Sequence, residues 1–425
     1  MIHLPQAGFR SWLLLTLVLL CPVTSNGQNT LLLQGKQTPP PNDRLHIQKE
    51  RSVTVATAVP SEEETLEIFS RNLYRKNIQP VWVQIENSSE NTLYLTPMGL
   101  DQGYFTARES AHRSRGDLSQ PPPNRDFERR AVQQLTIAPQ SIQSGYIFSR
   151  VDEGTKSFNV DIIGDGTPYK MTFFVPVPGL RLDHYDTSIP DLYPEQDLQH
   201  VDIKQLVAAL EAMPCCVSDA SNKDKGDPLN LVFIGDINDM FYAFMRAGWD
   251  QTETIYASSL IKTAASAMSG DRYRYSPVSD LYVFGRPQDV ALQRARKSIH
   301  ERNHLRVWLT PLRLEKKPVW IGQISRDIGV HFTWRTITTH KIDPDVDETR
   351  EYLAEDMAYA GGLQKIGYVN GVGAAPYERP RGNLTGDPYF TDGQRSVMWI
   401  TGKPMAIEDI ETLDLSPYYT DVATP

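Results

Sequence analysis

The 425-residue sequence predicts an all-β immunoglobulin-like sandwich followed by an α+β domain with a mixed sheet. Two observations carry this prediction. Between residues 52 and 178, short segments alternate apolar and polar residues and are separated by Pro, Gly and Asn, which is typical of a β-sandwich. From residue 226, strand-like and helix-like segments follow one another, which indicates a domain that mixes helices with a sheet.

The strands of the predicted sandwich domain, 52–178, are identified by their alternation. The segment "QPVWVQIEN" places Val81, Val83 and Ile85 on one side of a strand, because successive side chains point to opposite faces. Further strand-like segments follow, and Gly164-Asp165-Gly166 separates the last two as the turn of a hairpin would. This arrangement predicts an all-β domain.

The second domain is predicted over residues 226–402. It begins with the continuous apolar strand "LNLVFIG" and contains a hairpin in which "EKK" joins "RVWLTPLRL" to "PVWIGQIS". A helix is expected to begin after Asp343-Pro344 and to end before Gly361-Gly362. Residues 179–225 are predicted as an acidic, Pro-rich connector with one helix at "DIKQLVAALEAM", and residues 403–425 as an acidic tail.

The N-terminus has the layout of a signal peptide, predicted over residues 1–27. Arg10 precedes the apolar run 12–21, Pro22 ends it, and cleavage is expected after Ser25 or Gly27. Residues 28–51 are polar and Pro-rich, which predicts a flexible N-terminus. No later stretch approaches the roughly 20 apolar residues that cross a bilayer. We therefore expect an exported protein of the periplasm or cell envelope, without a transmembrane segment in the mature chain.

Two adjacent cysteines, Cys215 and Cys216, remain after the predicted cleavage. An oxidising compartment favours disulfides, so a bridge between these neighbours is one interpretation. The other is that two small apolar residues pack after a helix. The sequence leaves both interpretations open.

The segment "HERNH" at residues 300–304 fits the H-E-x-x-H pattern of zinc peptidases. On a helix, His300 and His304 could hold one zinc ion while Glu301 polarises the water bound to it. The alternation in "HLRVWL" indicates a strand instead. A zinc hydrolase is therefore the least favoured of the three functional hypotheses for this sequence, and the other two are given below. No cofactor other than this zinc ion is expected.

Positive charge is concentrated between Arg286 and Lys317. Nine basic and three acidic residues give this window a net charge of +6, within a chain whose net charge of -9 argues against general nucleic-acid binding. Basic side chains that share a face would bind phosphate or a lipid head group. The candidate anion-binding residues are Arg286, Arg294, Arg306 and Arg326. The alternative is a set of internal ion pairs with Asp289, Asp327 and Asp343.

Three ordered blocks, "SPVSDLYVFGRPQDVALQRARKSIHERNHLRVWLTP", "PVWIGQISRDIGV" and "THKIDPDVDETREYL", resemble the bacterial LssY C-terminal domain family. The resemblance covers about residues 226–402. It implies an envelope-associated domain that some members carry behind membrane-embedded lipid-phosphatase and DedA-like segments. It carries over no catalytic residue, and this chain has a predicted signal peptide and sandwich in place of those membrane helices.

The first hypothesis is a binding or accessory role in the envelope. The ligand would be an anionic, phosphorylated envelope component or a protein partner. The second is a hydrolase of a phosphorylated or glycosidic envelope substrate. Its catalytic candidates are His304, His340 and Asp327, with one of the two histidines as general base. The sequence gives no indication of the oligomeric state.

Overall fold

The computed structural model of the chain describes residues 44–116, 119, 121–152, 155–164, 166, 168–177, 192–251, 279–295, 302–333 and 336–420. Within these ranges the protein is mostly β-sheet with six α-helices, and one of its sheets is large and mixed. The predicted signal peptide and its cleavage sites lie outside the described residues. So do residues 28–43 of the predicted flexible N-terminus, residues 179–191 of the predicted connector and residues 421–425 of the tail.

Two four-stranded antiparallel sheets form a sandwich in the N-terminal half. The first sheet has the order β1 (His46–Glu50), β2 (Val53–Ala58), β3 (Gln79–Asn87) and β6 (Ser141–Ser149). The second has the order β5 (Thr136–Ile137), β4 (Leu93–Thr96), β7 (Thr155–Ile163) and β8 (Tyr169–Pro176). Val81, Val83 and Ile85 lie on the inner face of β3, as the alternation predicted, and pack against Val160 and Ile162 of β7.

Three short helices cover the outer face of the first sheet, and the sequence did not predict them. They are α1 (Glu62–Phe69), α2 (Ala107–Arg113) and α3 (Asn124–Arg130). Phe69 of α1 and Phe127 of α3 pack against Trp82, Tyr146 and Phe148 of the sheet. This second apolar layer explains why nearly every residue of β3 is buried, on both faces of the strand.

Strand β1 corrects the prediction of a flexible N-terminus up to residue 51. All five residues from His46 to Glu50 pair with β2. The Gln48 side chain also donates to the carbonyl of Thr172, and Glu50 accepts a hydrogen bond from the backbone N–H of Lys170. The strand joins the two sheets through hydrogen bonds rather than apolar side chains, so hydrophobic alternation does not identify it.

A ten-stranded mixed sheet forms the centre of the C-terminal half. Its main path has the order β13 (Asp250–Gln251), β16 (Val290–Ala295), β17 (Arg302–Leu314), β18 (Lys317–Thr333), β12 (Leu231–Ile234), β23 (Gln394–Ile400), β20 (Leu363–Asn370) and β24 (Glu411–Thr412). Two further strands, β19 (Thr336–Ile342) and β9 (Gln199–Val201), pair with β18 and β17. The predicted β17–β18 hairpin is confirmed, and its turn residues Glu315 and Lys316 both have positive φ.

Helices lie on both faces of this sheet. Helix α4 (Ile203–Ala212) covers one face, and α5 (Ile237–Arg246) and α6 (Val346–Tyr359) cover the other. In β12, Leu231 and Phe233 pack toward α5 and α6, whereas Val232 and Ile234 pack toward α4. Burial on both faces accounts for the continuous apolar run that predicted this strand.

The folded unit includes residues on both sides of the range 226–402 that the sequence predicted for it. Helix α4, predicted as part of the connector, packs its Leu206 and Leu210 against the sheet. In the predicted acidic tail, β24 pairs with β20, and Leu413 and Leu415 pack into the same apolar cluster as α4. The sequence prediction assigned these segments to a connector and a tail because they are acidic, and it therefore missed their apolar contacts with the sheet.

A small antiparallel sheet packs on the α4 side of β17 and β18. Its order is β11 (Lys225–Pro228), β10 (Cys216–Ser218), β14 (Tyr282–Val283) and β15 (Arg286–Pro287). Val217 and Val283 from this sheet contact Trp308 and Ile321 of the hairpin. Cys216, at the start of β10, forms a disulfide with Cys215. The strands β21 (Arg381–Gly382) and β22 (Pro388–Tyr389) pair nearby.

The first testable prediction concerns Phe233, a fully buried residue of the central strand whose ring centroid lies 5.5 Å from that of Phe244. Phe233→Ala removes this contact and leaves a cavity between β12 and α5. We expect the free energy of unfolding to fall by about 3–5 kcal/mol, measured by urea denaturation. Tyr359→Ala, at a side chain that is 79% exposed, is the control and should change it by less than about 0.5 kcal/mol. Equal losses in the two variants would contradict the central position of β12.

Candidate functional site

One face of strands β16, β17 and β18 is polar although it is buried. Because the ladder pairs Gln293 with His304, His304 with Ser325 and Arg306 with Gln323, their side chains lie on the same side of the sheet. We call this set the polar face. Its members are Gln293, Arg302, His304, Arg306, Gln323, Ser325 and Asp327, and each is less than 10% exposed. A buried surface of this composition requires specific partners for its polar groups.

His304 and Asp327 form a close pair at the centre of the polar face. Nε2 of His304 lies 2.6 Å from Oδ2 of Asp327. Burial lowers the pKa of His304 to about 4, although the Asp327 carboxylate opposes this shift and the guanidinium groups of Arg302 and Arg306 reinforce it. The imidazole is therefore neutral at pH 7 and donates from Nε2 to the carboxylate.

Arg302 and Arg306 flank His304 on the same strand face. Nη1 of Arg302 donates to Oε1 of Gln293 at 2.9 Å, and Nη1 of Arg306 donates to Oε1 of Gln323 at 3.1 Å. These amide oxygens orient the guanidinium groups, and the carboxylates of Asp327 and Asp227 interact electrostatically with Arg302 and Arg306, respectively. Burial lowers the pKa of Arg302, and the nearby Arg306 lowers it further while Asp327 raises it.

Two hydrogen-bond donors on the polar face have no acceptor among the described residues. They are Nε of Arg302 and Nε2 of Gln323, and both atoms are buried. The orientation of the Gln323 amide follows from its Oε1, which accepts from Arg306. Leaving a buried donor without an acceptor costs about 1–3 kcal/mol. These two donors indicate that an acceptor-rich group binds to this face.

Asp227 approaches the polar face from strand β11 of the small sheet. Its carboxylate interacts electrostatically with Arg306 and Asp327, and its Oδ1 accepts a hydrogen bond from Nδ2 of Asn383 at 3.1 Å. Burial raises the pKa of Asp227, and the Asn383 hydrogen bond and Arg306 oppose this rise. The small sheet therefore covers the part of the polar face around Arg306 and contributes a carboxyl group to it.

The four arginines predicted as one anion site do not share a face. Arg294 pairs with Asp356, and Nη1 of Arg326 lies 3.4 Å from Oε1 of Glu348. Both partners lie on α6, on the opposite side of the sheet from Arg306. The register explains the correction, because the ladder places Arg294 and Arg326 opposite Asn303, an odd number of residues from Arg306.

Arg286, the remaining predicted anion ligand, belongs to an internal ion pair. Its Nε and Nη2 donate to the two carboxylate oxygens of Asp289, each at 2.9 Å, and its Nη1 donates to the Tyr193 hydroxyl at 3.1 Å. Asp289 also accepts from the backbone N–H of Leu309 at 2.6 Å. This arrangement joins β15 to β17, so of the four predicted arginines only Arg306 lies on the polar face.

The family comparison matches the C-terminal part of the chain. The model of the family described as LssY C-terminus matches residues 210–394. We call this segment the LssY C-terminal domain, after the family that it matches. The match confirms the resemblance that the sequence blocks indicated, and it includes the whole polar face, the small sheet and the disulfide. No curated protein matches the chain.

The H-E-x-x-H motif of the LssY C-terminal domain does not form one helix. Residues from Arg302 onward belong to β17, so His304 lies in a strand, whereas His300 and Glu301 lie outside the described residues. The backbone of His340, another catalytic candidate, lies in β19 opposite Val330. Among the described residues, no three His, Cys, Asp or Glu side chains are grouped to hold a metal ion. The helical zinc-peptidase geometry is therefore wrong for this motif.

Sequence reasoning missed Arg302, Gln323, Ser325 and Asp227 as members of the site. A signal was present in "RNHLRVW", because Arg302, His304 and Arg306 recur at every second position of a strand whose other residues include Leu305 and Val307. Polar residues at that period predict a polar strand face.

No helix within the described ranges is long and apolar enough to span a membrane.

The second prediction follows from the lowered pKa of His304. In the unfolded chain the imidazole takes up a proton near pH 6.5, whereas in the folded protein it does so only near pH 4. Between these values the unfolded state binds more protons, so stability should fall with decreasing pH, by up to about 3 kcal/mol from this group. Urea denaturation at pH 7 and pH 4.5 measures the loss. The variant His304→Asn should lose less stability over this interval, and an unchanged pH dependence in that variant would contradict the assignment.

Proposed function

We propose that the LssY C-terminal domain binds an anionic group on the polar face, through Arg302, Arg306 and Gln323. The observation that carries this proposal is the pair of buried donors, Nε of Arg302 and Nε2 of Gln323, that have no acceptor among the described residues. They lie on the same face as two guanidinium groups, and the neighbouring imidazole of His304 is neutral at pH 7. An oxyanion offers several acceptor atoms, and its negative charge strengthens its hydrogen bonds with guanidinium donors.

The chemistry of these donors favours a phosphate, sulfate or carboxylate group. A guanidinium group presents planar, directional donors that fit such oxyanions, and its attraction to an anion increases in a buried site, where the effective dielectric constant is low. The pKa of Asp227 is raised by burial, which reduces its repulsion of an anion as the pH falls. Because the polar face is covered, the bound group is small or is the terminal group of a larger molecule.

We further propose that this anion belongs to a component of the cell envelope and that the protein is exported. The apolar run 12–21 behind Arg10 supports export. For the N-terminal half we propose an immunoglobulin-like sandwich that contacts a protein or envelope partner. The sheet order supports it, because β1-β2-β3-β6 faces β5-β4-β7-β8 and the chain changes sheets three times, after β3, after β5 and after β6.

A second candidate function is hydrolysis, and the position of Ser325 favours it. Ser325 is directly opposite His304 in the ladder, and His304 pairs with Asp327. In such an arrangement a neutral imidazole takes the hydroxyl proton as the serine oxygen attacks a carbonyl or phosphoryl centre, and the carboxylate stabilises the imidazolium. Ser325 is only 4% exposed and lies within a strand, so anion binding is the better supported function.

The third prediction tests anion binding with inorganic phosphate and phenyl phosphate, by isothermal titration calorimetry of the full chain. A hydrogen bond to a charged group contributes about 1.5–3 kcal/mol, so Arg302→Met should weaken binding at least about tenfold. Arg294→Met is the matched control, because Arg294 lies on the opposite sheet face and pairs with Asp356. The affinity of this control variant for each probe should stay within about twofold of that of the unchanged protein. Equal losses in both variants, or no binding of either probe to the unchanged protein, would contradict the proposal.

The fourth prediction separates hydrolysis from binding. A fluorophosphonate probe should add to Ser325 if that residue is an activated nucleophile, because its oxygen displaces fluoride at phosphorus. Intact-mass and peptide-mapping measurements would then find one adduct, lost in Ser325→Ala and reduced in His304→Asn. The absence of an adduct on the folded chain rules out the serine hydrolase and leaves anion binding as it stands.

A further inference from the structure

The disulfide between Cys215 and Cys216 lies at the edge of the small sheet that covers the polar face. The two cysteines differ in exposure, since Cys215 is partly exposed whereas Cys216 is 8% exposed. Sγ of Cys216 lies 3.8 Å from the hydroxyl of Tyr389, which is itself buried. This asymmetry favours attack by an external thiol at Cys215 rather than at Cys216.

We propose that Cys215–Cys216 is a redox-active site that exchanges with dithiol reductants, and that its reduction opens the cover over the polar face. The second part rests on the proposed function, because it assigns a regulator to the same anion site. The first part concerns the chemistry of the disulfide and is independent of any ligand.

The exchange has a defined direction. A thiolate of the reductant attacks Sγ of Cys215, the electron pair of the S–S bond passes to Sγ of Cys216, and that sulfur takes up a proton. The second thiol of the reductant then attacks the mixed disulfide and releases Cys215 as a thiol. The protein gains two electrons and two protons, and the dithiol becomes a cyclic disulfide.

The disulfide is connected to the cover through the backbone. The carbonyl of Cys215 accepts a hydrogen bond from the N–H of Leu229 at 2.8 Å, and Cys216 pairs with Pro228 in the ladder between β10 and β11. Pro228 follows Asp227, the residue through which β11 approaches the polar face. A displacement of the two cysteines therefore acts directly on the strand that carries Asp227.

Side-chain hydrogen bonds fix the segment before the disulfide, whereas few residue pairs join β10 to β11. Nη2 of Arg395 donates to the carbonyls of Met213 and Pro214 at 3.2 and 2.9 Å, which fixes the chain next to Cys215. By contrast, the ladder between β10 and β11 is short and its register shifts between Cys216 and Ser218. Reduction replaces one closed ring with two thiols that rotate separately, so β10 and β11 are the elements that loosen.

The test begins with the disulfide itself. The folded full chain is treated with dithiothreitol and then with phenylarsine oxide, which captures two neighbouring thiols, and the adduct is located by peptide mapping. We expect one adduct on the peptide that contains both cysteines and none in a Cys215→Ser/Cys216→Ser variant. A folded chain that resists dithiothreitol, or that is reduced only on unfolding, overturns the redox proposal.

Hydrogen–deuterium exchange then tests the structural consequence. Exchange of the amides in residues 215–229 should accelerate at least tenfold on reduction, whereas that of β20 and β23 should not change. The double serine variant should exchange like the reduced protein and should not respond to dithiothreitol. Reduction without faster exchange in residues 215–229 would contradict an effect on β11.

The last measurement separates this inference from the function on which it rests. The association rate of inorganic phosphate, followed by stopped-flow tryptophan fluorescence, should rise at least tenfold on reduction, since Trp308 lies where the small sheet meets the hairpin. Equal rates in the oxidised and reduced proteins overturn the control of access. If phosphate binds in neither form, the proposed anion site fails, and the two preceding experiments still decide whether the disulfide is redox-active.

Discussion

The register between β17 and β18 is the constraint on which the LssY C-terminal domain depends. It directs Leu305, Val307 and Ile324 toward α5 and α6 and turns the polar face toward the small sheet. Because side chains alternate, a slip of one residue would exchange these two sets and bury the polar face against the helices. The turn at Glu315 and Lys316, where both residues adopt positive φ, fixes the register at its closed end.

Burial of the polar face opposes folding, because its polar and charged groups lose contact with water. These groups are confined to one end of the β17–β18 hairpin. Toward the turn, the same face continues with Trp308 and Ile321, which pack against apolar residues of the small sheet. A buried charge costs several kcal/mol unless it is well paired, and Gln293 and Gln323 supply neutral acceptors to the two guanidinium groups. Apolar residues would fill this part of the interface at a lower cost. The retention of charged groups there is consistent with a function, because local departures from good packing concentrate at functional sites.

The local sequence pattern predicted the elements that are stabilised by apolar residues at regular spacing. It did not predict the features that depend on pairing between residues far apart in the sequence. Strand β12, the β17–β18 hairpin and the start of α6 follow from apolar runs, turn residues and capping residues. Helices α1 to α3 have seven or eight residues, too few for a strong helical period, and the sheet that stabilises them is distant in sequence. Arg294, Arg306 and Arg326 seemed equivalent in the sequence because charge was counted without a register. Only the pairing of Asn303 with both Arg294 and Arg326 separates these two residues from Arg306 by face.

Among the described residues, the sandwich contacts the LssY C-terminal domain on the side of the large sheet opposite the polar face. Phe174 of β8 contacts Phe241 and Tyr242 of α5, with ring centroids 6.4 and 5.0 Å apart. Helix α5 packs on the opposite side of the large sheet from His304, so the sandwich approaches the domain from behind the site. A partner bound to the sandwich would not obstruct the polar face, and the anion would reach it through the small sheet. The described elements that line the proposed site therefore lie within the matched segment 210–394.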